Sequence, residues 1–210
     1  MAFTTLFFDL DDTLYPKTSG LWDAIRKRLD TYMIEQMHFP ADEIAALREY
    51  LFTTYGTTLR GLQTLYQVDT QDYLAYVHDV PLRNFIQPDP RVRDALLALP
   101  QRKLIFTNAD SNHARRVLDV LELSDCFDQI VDINAINPFC KPMKEAFQIA
   151  LQYAAEQDAS AGVVIDDLPR NLETARQLGF YTVRFGSLEP SESYHTGIMH
   201  LSELGHIINR

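Results

Sequence analysis

Apolar and polar positions along this chain fall into blocks, and the rhythm of the blocks changes twice. Residues 3–8 form a short apolar run, from Phe3 to Phe8, with the pattern of a buried strand. The run stops at three carboxylates, Asp9, Asp11 and Asp12, set within four positions. Pro16, Ser19 and Gly20 then mark a loop. Beyond it, Leu21, Trp22, Ile25, Leu29, Tyr32, Met33 and Met37 recur at helical spacing, with Trp22 expected in the core. A second helix is expected after Pro40, with Ile44, Leu47, Leu51 and Phe52 on one face. Tyr55-Gly56-Thr57-Thr58 interrupts it, and short helices are expected over 59–66 and 70–78. This whole stretch reads as an all-helical insert placed directly after the first strand.

Pro81, Pro88 and Pro90 make a stiff, turn-rich joint, and the rhythm then alternates. A helix over 91–99 precedes a strand, Lys103 to Thr107. A helix over 112–122 follows, with Asp110 or Ser111 as its expected N-cap. Ile130 to Ile133 reads as a short strand, and Pro142 suits the first position of the next helix. Gly162 to Ile165 is a strand, Pro169 opens another helix, and Gly179 ends it. Phe180 to Phe185 is the next strand, Ser187 to Gly197 reads as loop, and Ser202 is placed to cap a last helix. Strands alternating with helices predict an α/β fold built on a doubly wound parallel sheet.

In such sheets the site lies at the carboxyl ends of the strands. Asp9, Asp11 and Asp12 follow the first strand, and Thr107 and Asn108 end the second. Lys141 lies near the next connection, and Asp166-Asp167 follow Ile165. Each group alone is an ordinary feature of a soluble protein. Four strand ends that each supply a group suited to phosphate or metal are far more informative together.

These groups fit phosphoryl transfer through a covalent aspartyl-phosphate. Phosphate monoesters hydrolyse so slowly unaided that enzymes accelerate them by up to about 10²¹-fold. A site must supply a nucleophile, charge neutralisation and a proton for the leaving oxygen. Asp9 is expected to attack phosphorus. Asp11, two residues on and on the same side of an extended chain, is expected to protonate the leaving oxygen and then to activate water. Mg²⁺ is expected to bind Asp9, Asp166, Asp167 and the backbone carbonyl of Asp11, since it prefers octahedral oxygen ligands. Thr107 and the Asn108 amide would donate to phosphate oxygens, and Lys141 would offset negative charge.

Composition narrows the partners. A net charge of −10 argues against a nucleic-acid surface but not against a small anionic substrate, because a metal reverses the local field. Two cysteines, Cys126 and Cys140, give no disulfide framework, in keeping with reduced thiols in the cytoplasm. Asp9 interrupts the first apolar run too early for a signal peptide, and no stretch approaches a membrane span.

Asp9-Leu10-Asp11-Asp12-Thr13-Leu14, Thr107-Asn108, Lys141 and Asp166-Asp167 resemble the four motifs of the haloacid dehalogenase-like superfamily. The resemblance implies a Rossmann-like core over residues 1–15 and 88–210, with residues 16–87 as a helical cap. It also implies that Asp167 is the direct Mg²⁺ ligand, with Asp166 acting through water. Leu14-Tyr15-Pro16, Ser19-Gly20-Leu21, Tyr55 to Leu62, Val77-His78-Asp79 and Phe106 to Asp110 are similar to the pyrimidine 5′-nucleotidase group. That likeness implies a cytosolic Mg²⁺-dependent phosphatase acting on nucleoside monophosphates such as UMP and CMP. Arg60 and His78 in the cap, and Tyr15 at the entrance, are then expected to touch substrate. Leu168 departs from the usual serine after the paired aspartates, so a supporting hydrogen bond is expected to be missing. The alternatives are a phosphatase of another small phosphometabolite, a phosphomutase, or a non-catalytic phosphate-binding protein. A dehalogenase would need neither Asp11 nor the Asp166-Asp167 pair.

Overall fold

The computed structural model describes residues 3–208. The chain divides into two compact units, one ending at Thr18 and resuming at Ile86, the other Ser19–Phe85. In chain order the elements are β1 (Thr5–Phe8), α1 (Leu21–Glu35), α2 (Ile44–Tyr55), α3 (Thr58–Tyr66) and α4 (Thr70–Val77). They continue as α5 (Pro90–Leu97), β2 (Arg102–Phe106), α6 (Ser111–Val120), β3 (Gln129–Val131) and α7 (Lys144–Tyr153). The chain closes with β4 (Gly162–Asp166), α8 (Pro169–Gln177), β5 (Tyr181–Phe185), β6 (Thr196–Ile198) and α9 (Leu204–Ile208).

The strands form one parallel sheet in the order β3-β2-β1-β4-β5-β6. The chain builds outward from β1 through β2 to β3, then crosses back to β4 on the other side. The reversal of order places a crevice beside the carboxyl end of β1. Every residue of β1 and β4 is buried, as expected for central strands covered on both faces. Phe7 meets Phe180 edge-on at 5.7 Å, and Phe106 meets Phe147 at 5.1 Å. Phe8 stands in register with Ile105 of β2 and Ile165 of β4. One residue further, Asp9, Phe106 and Asp166 therefore stand level on three adjacent strands.

The helical unit holds α1 to α4. Its breaks follow local chemistry: Gly56 takes φ +90° after α2, and the Thr57 side chain caps α3 by accepting from the Arg60 N–H. Asp69 caps α4 in the same way.

Four expectations are corrected. Trp22 is exposed rather than core, because the buried face of α1 is Leu21, Ile25, Leu29, Tyr32 and Met33. The helix expected at Pro142 starts at Lys144, after a turn closed by the Met143 N–H on the Cys140 carbonyl at 2.7 Å. The stretch read as loop before Gly197 ends in strand β6, paired to β5 from Thr196 to Ile198. His200, not Ser202, caps the last turn: its ring accepts from the Ser202 N–H, and Glu203 accepts from the His200 N–H.

Candidate active site

Asp9 continues β1 by one residue, its N–H donating to the Ile165 carbonyl at 2.8 Å. The chain then turns: the Leu14 N–H bonds the Leu10 carbonyl at 2.9 Å, with Asp12 in the left-handed region at φ +59°. Aspartate tolerates that conformation better than most residues. The turn brings the Thr13 hydroxyl back to Asp9 Oδ2 at 3.1 Å, while Lys141 Nζ donates to Asp9 Oδ1 at 2.7 Å. Both oxygens of Asp9 are thus oriented by the protein.

Lys141 is almost wholly buried, and an unpaired ammonium there would cost several kcal/mol. Its three protons meet three acceptors: Asp9 Oδ1 at 2.7 Å, the Phe106 carbonyl at 2.7 Å and Asp166 Oδ2 at 2.8 Å. These are the level residues of β1, β2 and β4. Burial alone would depress the ammonium, but Asp166 and Asp9 more than reverse it and hold it above the ordinary lysine range. Asn108 fixes the lysine in place. Its side-chain oxygen accepts from the Lys141 N–H at 2.8 Å, and its side-chain nitrogen donates to the Lys141 carbonyl at 3.0 Å. One N–H and the oxygen of the Asn108 carboxamide are therefore engaged by Lys141. Thr107 is buried, and its hydroxyl oxygen accepts from the Ala109 N–H at 3.0 Å.

Asp166 is fully buried and fully engaged. Beside Lys141, it accepts from the Leu168 N–H at 2.8 Å and from the Asn171 carboxamide at 3.0 Å on each oxygen. The leucine side chain at 168 offers no hydrogen bond, while its backbone N–H and the Asn171 carboxamide hold Asp166.

Asp9, Asp166 and Asp167 each offer an oxygen, and the three lie within 4.8 Å of one another. Lys141 is the cation bonded to two of them, so two negative charges are left over in a desolvated place. The carboxyls register that excess. Burial, then Asp166 and Asp11 against the pull of Lys141, raise Asp9 to about 7. Burial, then Asp9, Asp166 and Asp12 against Arg184, raise Asp167 to about 8. A hard divalent cation is what such an oxygen cluster fits.

Asp11 is oriented by groups outside the metal cluster. Its Oδ1 accepts from the Tyr15 hydroxyl at 2.5 Å and lies 2.9 Å from His113 Nε2. Tyr15, expected at the entrance, is instead buried, and its phenol is pushed well up by burial and by Asp11. It stays protonated and donates. His113 was missed by sequence reasoning. A lone histidine in a first helical turn was its only signal, and nothing in the sequence placed that turn beside Asp11. Arg60 and His78 both lie buried in the helical unit. Arg60 Nη1 donates to Gln63 at 2.8 Å, and His78 ends α4.

A family model described as haloacid dehalogenase-like hydrolase matches residues 3–179. Phosphate metabolism protein 8 of Saccharomyces cerevisiae is 29% identical over 187 residues, 82% of this chain. The chain spans 58% of that protein's length. A β-phosphoglucomutase from Clostridium difficile superposes with a TM-score of 0.65 at 17% identity, covering 99% of this chain and 96% of its own. A 2-haloacid dehalogenase from Pseudomonas syringae superposes with a TM-score of 0.63 at 23% identity, covering 99% and 98%.

Proposed function

The chain belongs to the haloacid dehalogenase-like hydrolases, and from that premise we propose that it is a Mg²⁺-dependent phosphatase of a small phosphate monoester, a pyrimidine nucleoside 5′-monophosphate above others. The observation that carries the reading is the pairing of Asp9, held between Lys141 and Thr13, with a separately anchored Asp11. A nucleophile and an acid/base two residues apart are what a two-step phosphate transfer needs.

Asp9 attacks phosphorus, an oxygen–phosphorus bond forms, and the bond to the leaving oxygen breaks. Asp11 gives that oxygen its proton. Asp11 then takes a proton from water, which attacks the phosphoryl group and releases inorganic phosphate and free Asp9. Lys141 holds Asp9 and Asp166 in place and offsets charge at the phosphoryl group. The Thr107 hydroxyl and the Asn108 backbone N–H donate to phosphate oxygens. Asp9, Asp167 and the Asp11 carbonyl would hold Mg²⁺, with Asp166 in support, and the ion would supply neutralisation of phosphate charge.

The helical unit, Ser19–Phe85, is assigned the role of cap, with Arg60 and His78 as substrate contacts. The name of the yeast relative is in keeping with phosphate as the group handled. No helix among the described residues is long and apolar enough to cross a membrane. Cys126 and Cys140 are buried free thiols, which suits the cytoplasm as its location.

Initial rates with Mg²⁺ on UMP, CMP, purine monophosphates, sugar phosphates and an aryl phosphate test the reading. A preference of about tenfold or more for UMP and CMP is expected, which is roughly 1.4 kcal/mol of discrimination. Activity spread evenly over the panel overturns the substrate, and no activity on any ester overturns the phosphatase. Asp9→Asn keeps the shape of the side chain and is expected to lower kcat by about 10⁴-fold or more. Full activity in that variant removes the covalent step.

A further inference from the structure

His113 is a histidine of the core unit that the chemistry above does not use, and its ring has no solvent exposure. Fully buried histidines are uncommon, and a buried ring nitrogen needs a polar partner. Here Nε2 lies 2.9 Å from Asp11 Oδ1, across 102 residues of sequence. The backbone that carries the ring is fixed at the helix start. Asp110 caps α6 by accepting from the Asn112 and His113 N–H groups at 2.7 and 2.9 Å. The cap lies three residues after Thr107, so the end of β2 and the ring of His113 belong to one short connection.

The second donor is Tyr15, whose hydroxyl reaches the same Oδ1 at 2.5 Å. Oδ1 accepts whether Asp11 is ionised or carries its proton on the other oxygen, and the tautomer of His113 with its hydrogen on Nε2 donates to it. Two donors from two elements converge on one oxygen. That oxygen is a poor seat for a proton, and the carboxyl plane is fixed by two bonds rather than by its own rotamer.

We infer that His113 and Tyr15 are positioning residues that clamp Asp11 through Oδ1, so that Oδ2 is the oxygen that delivers a proton to the leaving group. This rests on the phosphatase reading and deepens it: the clamp belongs to the protonation of a poor leaving group, not to attack by Asp9. A carboxyl that swings freely gives up part of the roughly 10²–10⁴-fold that a positioned acid contributes. Esters with poor alkoxide leaving groups need that proton, whereas an aryl phosphate, whose phenolate leaves unaided, does not.

The test is a first-turnover measurement on the Mg²⁺-loaded full chain. It compares release of the leaving group from an alkyl monoester, such as UMP, with the nitrophenolate burst from 4-nitrophenyl phosphate. The burst reports attack by Asp9 before Asp11 acts as base. His113→Leu removes the ring donor. Tyr15→Phe removes only an oxygen and keeps the buried ring, so it serves where His113→Leu fails to fold. Each is expected to slow first-turnover release from UMP by about 10²-fold, with the nitrophenolate burst within about threefold of wild type and KM unmoved. His113→Gln, which retains an amide donor, is expected to recover most of the loss. Equal slowing on both esters, or no slowing on either, overturns the clamp while the phosphatase stands. A wild-type protein that cleaves neither ester overturns both.

Discussion

Lys141 shows how much of this site is decided by one side chain. Its three protons tie the ends of β1, β2 and β4 at a single level. Lys141→Met removes the charge but keeps a long side chain, and it leaves Asp9 and Asp166 facing each other. Breaking a buried pair this way costs about 3–5 kcal/mol, so a fall in unfolding free energy of that size is expected in a urea titration without Mg²⁺. A variant as stable as wild type would mean that the two carboxylates take up protons at no cost. Asn171 acts more quietly. It holds both oxygens of Asp166, one of the three carboxylates of the acidic cluster. Asn171→Ala is expected to weaken Mg²⁺ binding by about 10–100-fold, read by calorimetric titration. The pairing of Lys141 with Asp9 was legible in the sequence, where Lys141 was expected to offset negative charge there. Lys141 was legible as a cation near a strand end, but its partner Phe106 contributes only a carbonyl, and backbone groups carry no signature in a sequence.

At the scale of elements, local chemistry was legible and inter-element contact was not. Asp110 or Ser111 was read as the cap of α6 from sequence, and Asp110 is the one. Pro169 was read as the opening of α8, and Gly179, at φ +99°, as its end. These depend on backbone rules within a few residues. Strand β6 escaped because three residues, Thr196–Ile198, carry no period long enough to read, and pairing with β5 alone makes them a strand. Gly61 is a case where an element is set by its neighbour. A glycine inside α3 costs helix stability, by roughly 1 kcal/mol relative to alanine. A Cβ there would stand 2.5 Å from Leu51 Cδ2 and 2.8 Å from Leu51 Cβ, on α2. Gly61→Ala is therefore expected to destabilise the helical unit by about 1–3 kcal/mol, despite the better propensity. A higher melting temperature in that variant would show that α2 and α3 separate at little cost.

For the whole molecule, the excess negative charge predicts how stability depends on pH. Without metal, Asp9 at about 7 and Asp167 at about 8 bind protons more tightly folded than unfolded, where the ordinary value is 3.8. The stability they contribute is complete below that ordinary value and is lost as pH rises through about 7 to 8. Asp89, held down by Arg91, and Asp125, held down by Arg93, run the other way: their contribution is lost as pH falls below 3.8. In EDTA the melting temperature is thus expected to fall between about pH 5 and about pH 8. Mg²⁺ at about 100 times its Kd is expected to raise it at pH 8 by roughly 5–10 °C, and by less at pH 5, where protons compete. A melting temperature indifferent to both pH and Mg²⁺ would remove the cation from the acidic cluster. The sequence by itself determined the alternation of strands and helices, the helical insert after β1, and the acidic and basic residues at strand ends. Those follow from periodicity and turn chemistry, which act over a few residues. Only the tertiary structure decided which end residues stand level, that Asn108 grips Lys141, that Asn171 and the Leu168 N–H hold Asp166, and that His113 and Tyr15 meet on Asp11. The longest of these contacts, His113 to Asp11, joins positions 102 residues apart, and the strand register that levels the end residues exists only once the sheet has formed.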